Sequence, residues 1–184
     1  PPPGGDVIGR RRVDTHILAL QALGARVKYN RYFLFESRGL KGAEILLDEA
    51  SVTATENTIM AAVTAKGLTI IRNAASEPHV QDLCHFLNNL GARISNIGSN
   101  VLKVEGVEKL HGGEYKIGPD YLEVASFIGA AAVTKGEIRI KNAGVEHLNM
   151  VRIVLKRLGV EWVVDGKDIL VPKKQTLAIQ PDLG

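Results

Sequence analysis

The sequence predicts an α/β (α+β) fold made of repeated β-α-β-α-β-β units, and two observations predict it. The first is internal repetition. Ala61-Ala62-Val63-Thr64 recurs as Ala131-Ala132-Val133-Thr134. Lys66-Gly67-Leu68-Thr69-Ile70-Ile71-Arg72-Asn73-Ala74 recurs as Lys135-Gly136-Glu137-Ile138-Arg139-Ile140-Lys141-Asn142-Ala143, and Leu90-Gly91-Ala92 as Leu158-Gly159-Val160. The offsets are 70, 69 and 68 residues, and Leu23-Gly24-Ala25, 67 residues before Leu90, marks the tail of a third, truncated copy. The second observation is hydrophobic spacing, which switches between strand and helix period inside each copy. One such unit buries only one face of its sheet, so several must pack together to complete a core.

The elements follow in chain order. The truncated copy, 1–40, carries a helix at 13–23 and strands near 26–30 and 32–36. In the full copy, 41–112, residues 43–48 have strand character. Thr53-Ala54-Thr55-Glu56 has capping-box spacing, and a helix is expected from there to about Ala65. Gly67 stops it, and Leu68–Arg72 is a β-branched strand. Glu77-Pro78 opens the next helix, because proline is tolerated in a first turn. Val80, Leu83, Cys84, Leu87 and Leu90 share one of its faces. Strands near 92–95 and 100–105 close the unit around a turn at Gly98. The last copy, 119–184, repeats this order, with a strand near 114–117 leading into it. A helix at about 120–134, a strand at 137–141 and a helical stripe of Leu148, Val151, Leu155 and Leu158 come next. Strands near 160–164 and 168–171 flank Asp165-Gly166. Roughly two and a half units are present, an uneven number for a finished domain, so an internal fragment is expected.

Composition narrows the class. The 184 residues are 45% hydrophobic and 23% charged, the balance of an ordinary globular protein. No apolar run approaches bilayer length, and the start does not read as a signal peptide. No membrane association is expected. A net charge of +3 without interleaved aromatics does not mark a nucleic-acid binder. The single cysteine, Cys84, cannot form an internal disulfide and falls inside an apolar helix stripe, so a core thiol is expected. His16, His79, His85, His111 and His147 share no metal-like spacing. Neither a metal nor a cofactor is expected, and a cytoplasmic location fits best.

The non-repetitive stretch Pro1–Asp14 is where chemistry could sit. Pro3-Gly4-Gly5 followed by Gly9 is a flexible segment able to approach a ligand or swing as a lid. It carries Asp6, Arg10, Arg11 and Arg12. Arginine suits phosphate because its planar fork donates two parallel charge-assisted hydrogen bonds. A carboxyl group beside a phosphate site can serve as acid or base. On its own this pattern is equally that of a turn beside a solvated basic patch. Asp120, after Pro119, reads as a helix N-cap, although a helix start is also where anions dock.

Taken together, these residues resemble a known family. Pro3-Gly4-Gly5-Asp6-Val7-Ile8-Gly9-Arg10-Arg11-Arg12-Val13-Asp14 is similar to the PGGCxIGxRPVD loop of UDP-N-acetylglucosamine enolpyruvyl transferases (1-carboxyvinyltransferases). Leu40-Lys41-Gly42-Ala43, Ser51-Val52-Thr53-Ala54-Thr55-Glu56-Asn57, Asn73-Ala74-Ala75-Ser76-Glu77-Pro78 and Gly118-Pro119-Asp120-Tyr121-Leu122-Glu123 follow in family order. The resemblance implies two inside-out α/β barrel-like domains, each of three units. Residues 1–118 would then be part of one domain and 119–184 the first unit of the other. It implies transfer of the enolpyruvyl group of phosphoenolpyruvate to the sugar 3-hydroxyl of UDP-N-acetylglucosamine, with release of phosphate. By the same resemblance Asp6 is the acid that protonates the phosphoenolpyruvate methylene carbon, and Arg11 contacts its phosphate. Arg11, Arg12, Val13, Asp14 and Thr15 match one stretch of the UDP-sugar site. Glu49, Ala50, Ser51 and Val52, with Thr53 beside them, match the other.

Four positions depart from the pattern. Asp6 replaces the loop cysteine that the alkylating drug fosfomycin needs, Arg12 replaces proline, Glu49 replaces a basic or neutral residue, and Tyr121 replaces arginine. The family's early Lys-Asn pair, its other phosphate-binding arginines and its later FPTD segment are not in this sequence. The expectation is that these 184 residues alone do not turn over substrate and that the full-length protein is a monomer. Two other readings are a non-catalytic paralogue that binds a UDP-sugar or a partner, and a shikimate-3-phosphate enolpyruvyl transferase.

Overall fold

The computed structural model describes residues 12–178. The chain divides into two compact units, with the boundary between Lys116 and Ile117.

The first unit runs α1 (Asp14–Ala22), β1 (Arg26–Asn30), β2 (Tyr32–Glu36), β3 (Glu44–Leu46), α2 (Val52–Ala62), β4 (Leu68–Arg72), α3 (Pro78–Asn89), β5 (Arg93–Ser95) and β6 (Val101–Glu105). β1 and β2 form an antiparallel hairpin, and the other strands form a sheet in the order β3-β4-β6-β5. β3 runs parallel to β4, while the remaining pairs are antiparallel. Pairing of Ile71 with Leu102 and of Thr69 with Val104 puts four buried side chains on one sheet face. Against it lie Ile59, Ala62 and Val63 of the α2 segment and Val80, Cys84 and Leu87 of α3. Ala19 and Leu23 bring α1 into the same core.

The second unit runs α4 (Tyr121–Thr134), β7 (Ile138–Ile140), a 3-10 turn (Val145–His147), α5 (Asn149–Arg157), β8 (Val163–Asp165) and β9 (Asp168–Val171). Its sheet order, β7-β9-β8, matches β4-β6-β5 of the first unit. The repeated Asn-Ala pair keeps its geometry too: Asn73 has φ 57° and Asn142 φ 50°, the left-handed region that asparagine tolerates. Ile128, Leu148, Trp162, Ile169 and Val171 form its core. The Arg152 guanidinium lies 5.3 Å above the Trp162 ring and Nη2 donates to the Trp162 carbonyl at 3.2 Å.

Four expectations from sequence need correction. α2 is capped by Ser51, whose hydroxyl accepts from the Ala54 amide at 3.3 Å, and not by a box starting at Thr53. Thr55 turns inward instead: its hydroxyl donates to the Ser51 carbonyl at 2.7 Å and accepts from the Ala75 amide at 3.0 Å. α2 also ends at Ala62, because the Ala65 amide turns back to the Ala62 carbonyl. No strand forms at 114–117. That segment is committed to α3: the His111 amide donates to Leu90, Tyr115 donates to Asp82 Oδ1 at 2.7 Å, and the Tyr115 ring meets Phe86 edge-on. Finally, the stripe on α5 is only partly used, since Leu148 is buried whereas Leu158 is 43% exposed.

Thr69 is fully buried on β4, and among the described residues its hydroxyl finds no hydrogen-bond partner. A buried unsatisfied hydroxyl costs free energy that a methyl group of the same shape does not. Thr69→Val should therefore raise the unfolding free energy by about 1 kcal/mol in a urea titration. A loss of similar size would contradict this account.

Candidate functional site

The expected site residues that the structure describes lie on two loops and on the first turns of the helices they enter. The first loop enters α1. Its N-cap position, Val13, offers no side-chain cap, so the first-turn amides rely on other groups. Such amides, at the positive end of the helix, favour an anion. The second loop, Asp48–Ser51, leaves β3 and enters α2. Leu47 anchors its start in the core, and Asn73 Nδ2 donates to the Leu47 carbonyl at 2.9 Å. This asparagine belongs to the repeated Asn-Ala pair.

Side chains tie the two loops together. Thr15 Oγ1 donates to Asp48 Oδ1 at 2.6 Å, and Arg12 Nη2 donates to Asp48 Oδ2 at 2.9 Å. Arg12 Nε also donates to Asp14 Oδ2 at 3.0 Å, while the Val13 amide donates to Asp14 Oδ1 at 3.2 Å. One turn further along, Asn57 Nδ2 and His16 Nδ1 are 2.7 Å apart, with Thr53 Oγ1 3.4 Å from His16 Nε2. Arg12–Thr15 and Glu49–Thr53, more than thirty residues apart in sequence, are thereby brought side by side.

Their exposure divides their roles. Arg12, Asp14, Glu49, Ala50 and Thr53 are exposed, and Val13, Ser51 and Val52 are half-buried. Thr15 is 2% exposed and its hydroxyl is spent on Asp48. The hydrogen bond from Arg12 lowers the Asp14 pKa. The Thr15 hydroxyl, followed by Arg12, lowers that of Asp48. Asp14, then Asp48, raises the arginine still further. A carboxylate whose folded pKa is depressed contributes stability above its ordinary pKa. That contribution is lost as pH falls through the depressed value, so these contacts hold at neutral pH and loosen in acid. Asp6 and Arg11 lie outside the described residues.

Elsewhere the titratable groups serve the scaffold. Burial raises the Cys84 thiol to about 11, which keeps it protonated and inert. Burial, then the Asp82 carboxylate, raises Tyr115 to about 12. Asp120 caps α4, accepting from the Leu122 amide at 2.8 Å and the Glu123 amide at 3.2 Å, and Tyr121 packs on the second core. Among the described residues no group of three His, Cys, Asp or Glu side chains could hold a metal ion. No described helix is long and apolar enough to cross a membrane.

Asp48, His16 and Asn57 were not singled out from sequence. A signal for Asn57 did exist: Thr53 and Asn57 are four apart on α2, hence on one face. Asp48 had no local signal, because its partners are distant in the chain.

The fold is that of the enolpyruvyl transferases. It superimposes on NikO of Streptomyces tendae with a TM-score of 0.75 at 22% identity, covering 86% of this chain and 42% of that one. It superimposes on EPSP synthase of Acinetobacter baumannii with a TM-score of 0.65 at 22% identity, covering 91% and 41%. The sequence model of EPSP synthase (3-phosphoshikimate 1-carboxyvinyltransferase) matches residues 3–181, and the chain belongs to that family. Its relatives include the UDP-N-acetylglucosamine 1-carboxyvinyltransferases of Treponema denticola, 56% identical over 184 residues, and Bradyrhizobium diazoefficiens, 55% identical over the same length. That of Borreliella burgdorferi is 52% identical over 183 residues. The chain spans 43% of the length of each of these relatives.

Proposed function

We propose that this chain is the part of a UDP-N-acetylglucosamine 1-carboxyvinyltransferase that supplies the segment carrying Asp6 and one wall of the nucleotide site. The observation that carries this is 56% identity along the whole chain to a relative of that name. The protein would transfer the enolpyruvyl group of phosphoenolpyruvate to the 3-hydroxyl of UDP-N-acetylglucosamine, the first committed step of peptidoglycan synthesis, in the cytoplasm and as a monomer.

Asp6 is assigned the protonation of the methylene carbon, and Arg11 the phosphate of phosphoenolpyruvate. The UDP-sugar would lie along Arg11, Arg12, Val13, Asp14 and Thr15 on one side and Glu49, Ala50, Ser51, Val52 and Thr53 on the other. The proximity of the two described stretches supports a single ligand spanning both. The first-turn amides of α1 suit a diphosphate.

The two units would be pieces of two three-unit domains. Exposed apolar surface supports this reading. Tyr29, Leu34 and Phe35 on the hairpin are each more than half exposed, and so are Leu122, Phe127 and Val133 on α4. An apolar cleft of about 340 Å³ lined by Ala132, Val133, Leu155, Leu158, Val160 and Leu177 has the character of a surface that packs against further helices.

Phosphate release tests the function. An intact protein of the relatives' length carrying this sequence should release phosphate from phosphoenolpyruvate only when UDP-N-acetylglucosamine is added. The 184-residue chain alone should release none. The family model's name favours a second substrate, shikimate 3-phosphate. Turnover with that acceptor and none with the UDP-sugar would replace the proposal. Calorimetric binding of the UDP-sugar without turnover would instead indicate a non-catalytic paralogue, a reading that the departures at Asp6, Glu49 and Tyr121 favour.

A further inference from the structure

We infer that Asp48 is a positioning residue for the nucleotide side of this site, clamping its two loops at a fixed spacing; this rests on the UDP-sugar reading above. Asp48 stands one residue before the Glu49–Thr53 stretch and, as an exposed carboxylate next to an anion site, would ordinarily repel the ligand. Both of its oxygens are engaged by the opposite loop. Oδ1 accepts from Thr15 at 2.6 Å and Oδ2 accepts from Arg12 at 2.9 Å. Arg12 in turn holds Asp14 through Nε at 3.0 Å. One carboxylate therefore orders three of the residues assigned to the ligand, and its charge is compensated by the arginine.

The helices behind these loops do not depend on that clamp. α1 and α2 meet through Ala19, Leu23, Ile59, Ala62 and Val63, all at most 3% exposed. What Asp48 adds is the register of the loops. Arg12 explains why register needs such a device here. It stands where the family loop carries proline, whose ring limits the backbone ahead of a helix. Arginine imposes no such limit. The Arg12–Asp48 and Arg12–Asp14 bonds supply through side chains the restraint that a ring supplies covalently. Holding a loop in its ligand-bound shape lowers the ordering cost of binding. A contact of that kind acts equally on ground state and transition state, so it governs KM and leaves kcat alone.

Steady-state kinetics of the intact protein test this. Asp48→Ala strips the buried Thr15 hydroxyl of its acceptor and frees Arg12, and should raise KM for UDP-N-acetylglucosamine about tenfold. Asp48→Asn keeps an oxygen for Thr15 but loses the charge and the acceptor for Arg12, so about threefold is expected. KM for phosphoenolpyruvate and kcat should stay within about twofold. Should the alanine variant fail to fold, the asparagine variant decides. An unchanged KM in the Asp48 variants of an active protein overturns the inference, as does an equal loss in kcat and both KM values. Absence of turnover by the unaltered protein instead sinks the functional reading on which the inference rests.

Discussion

Replacing Asp6 by asparagine in the intact protein is expected to lower kcat by about 10²- to 10⁴-fold, the range for loss of a positioned general acid. The amide keeps the shape of the side chain but has no proton to give to carbon. Asp6→Cys should retain turnover, because a thiol can also act as an acid. It should also create sensitivity to fosfomycin, whose epoxide alkylates a thiolate but spares the carboxylate present here. The measurement is phosphate release before and after incubation with the drug. An asparagine variant with unaltered kcat would move the acid to another residue. A cysteine variant that is active yet insensitive to the drug would place position 6 away from bound phosphoenolpyruvate.

Gly106→Ala should destabilise the first unit by about 3–5 kcal/mol, among the largest effects of a single methyl group in this chain. A Cβ at Gly106 would lie 1.5 Å from the Ala65 carbonyl oxygen and 3.2 Å from that of Gly67. The near neighbour is backbone, so no rotamer change relieves the overlap. The residue cannot simply move away, because its amide donates to Gly67 at 2.9 Å and the next amide, Val107, donates to Val63 at 2.9 Å. These bonds fasten the end of β6 to the turn between α2 and β4. Urea unfolding of the variant chain, followed by circular dichroism, gives the value. A loss under about 1 kcal/mol would mean that the turn yields more easily than this packing implies.

Much of the fold was legible in the sequence because it is periodic. The paired Lys-Gly and Asn-Ala segments mark matching turns, and the offset between copies placed β7, β8 and β9 against their counterparts before any contact was known. Pro78 and Asp120 announced helix starts through local chemistry, and both stand at them. The failures are of one kind. The expected strand at 114–117 had a plausible pattern, but Tyr115 finds Asp82 and Phe86, more than twenty-five residues earlier, and that tertiary contact outweighs local preference. Thr53-Ala54-Thr55-Glu56 had the spacing of a capping box, yet Thr55 is fully buried and its hydroxyl serves the Ala75 amide.

By itself, then, the sequence determined the repeat, the class of fold and the family. Those depend on spacing and on short motifs, which are properties of a chain read in order. It also named both stretches assigned to the nucleotide, through resemblance. Only the tertiary structure decided how those stretches are joined. The Thr15–Asp48 and Arg12–Asp48 bonds link residues 33 and 36 positions apart, and their 2.6 and 2.9 Å lengths arise from the packing of α1 against α2. A hydrogen bond is made by proximity in space, and proximity across such a separation exists only after the core has formed.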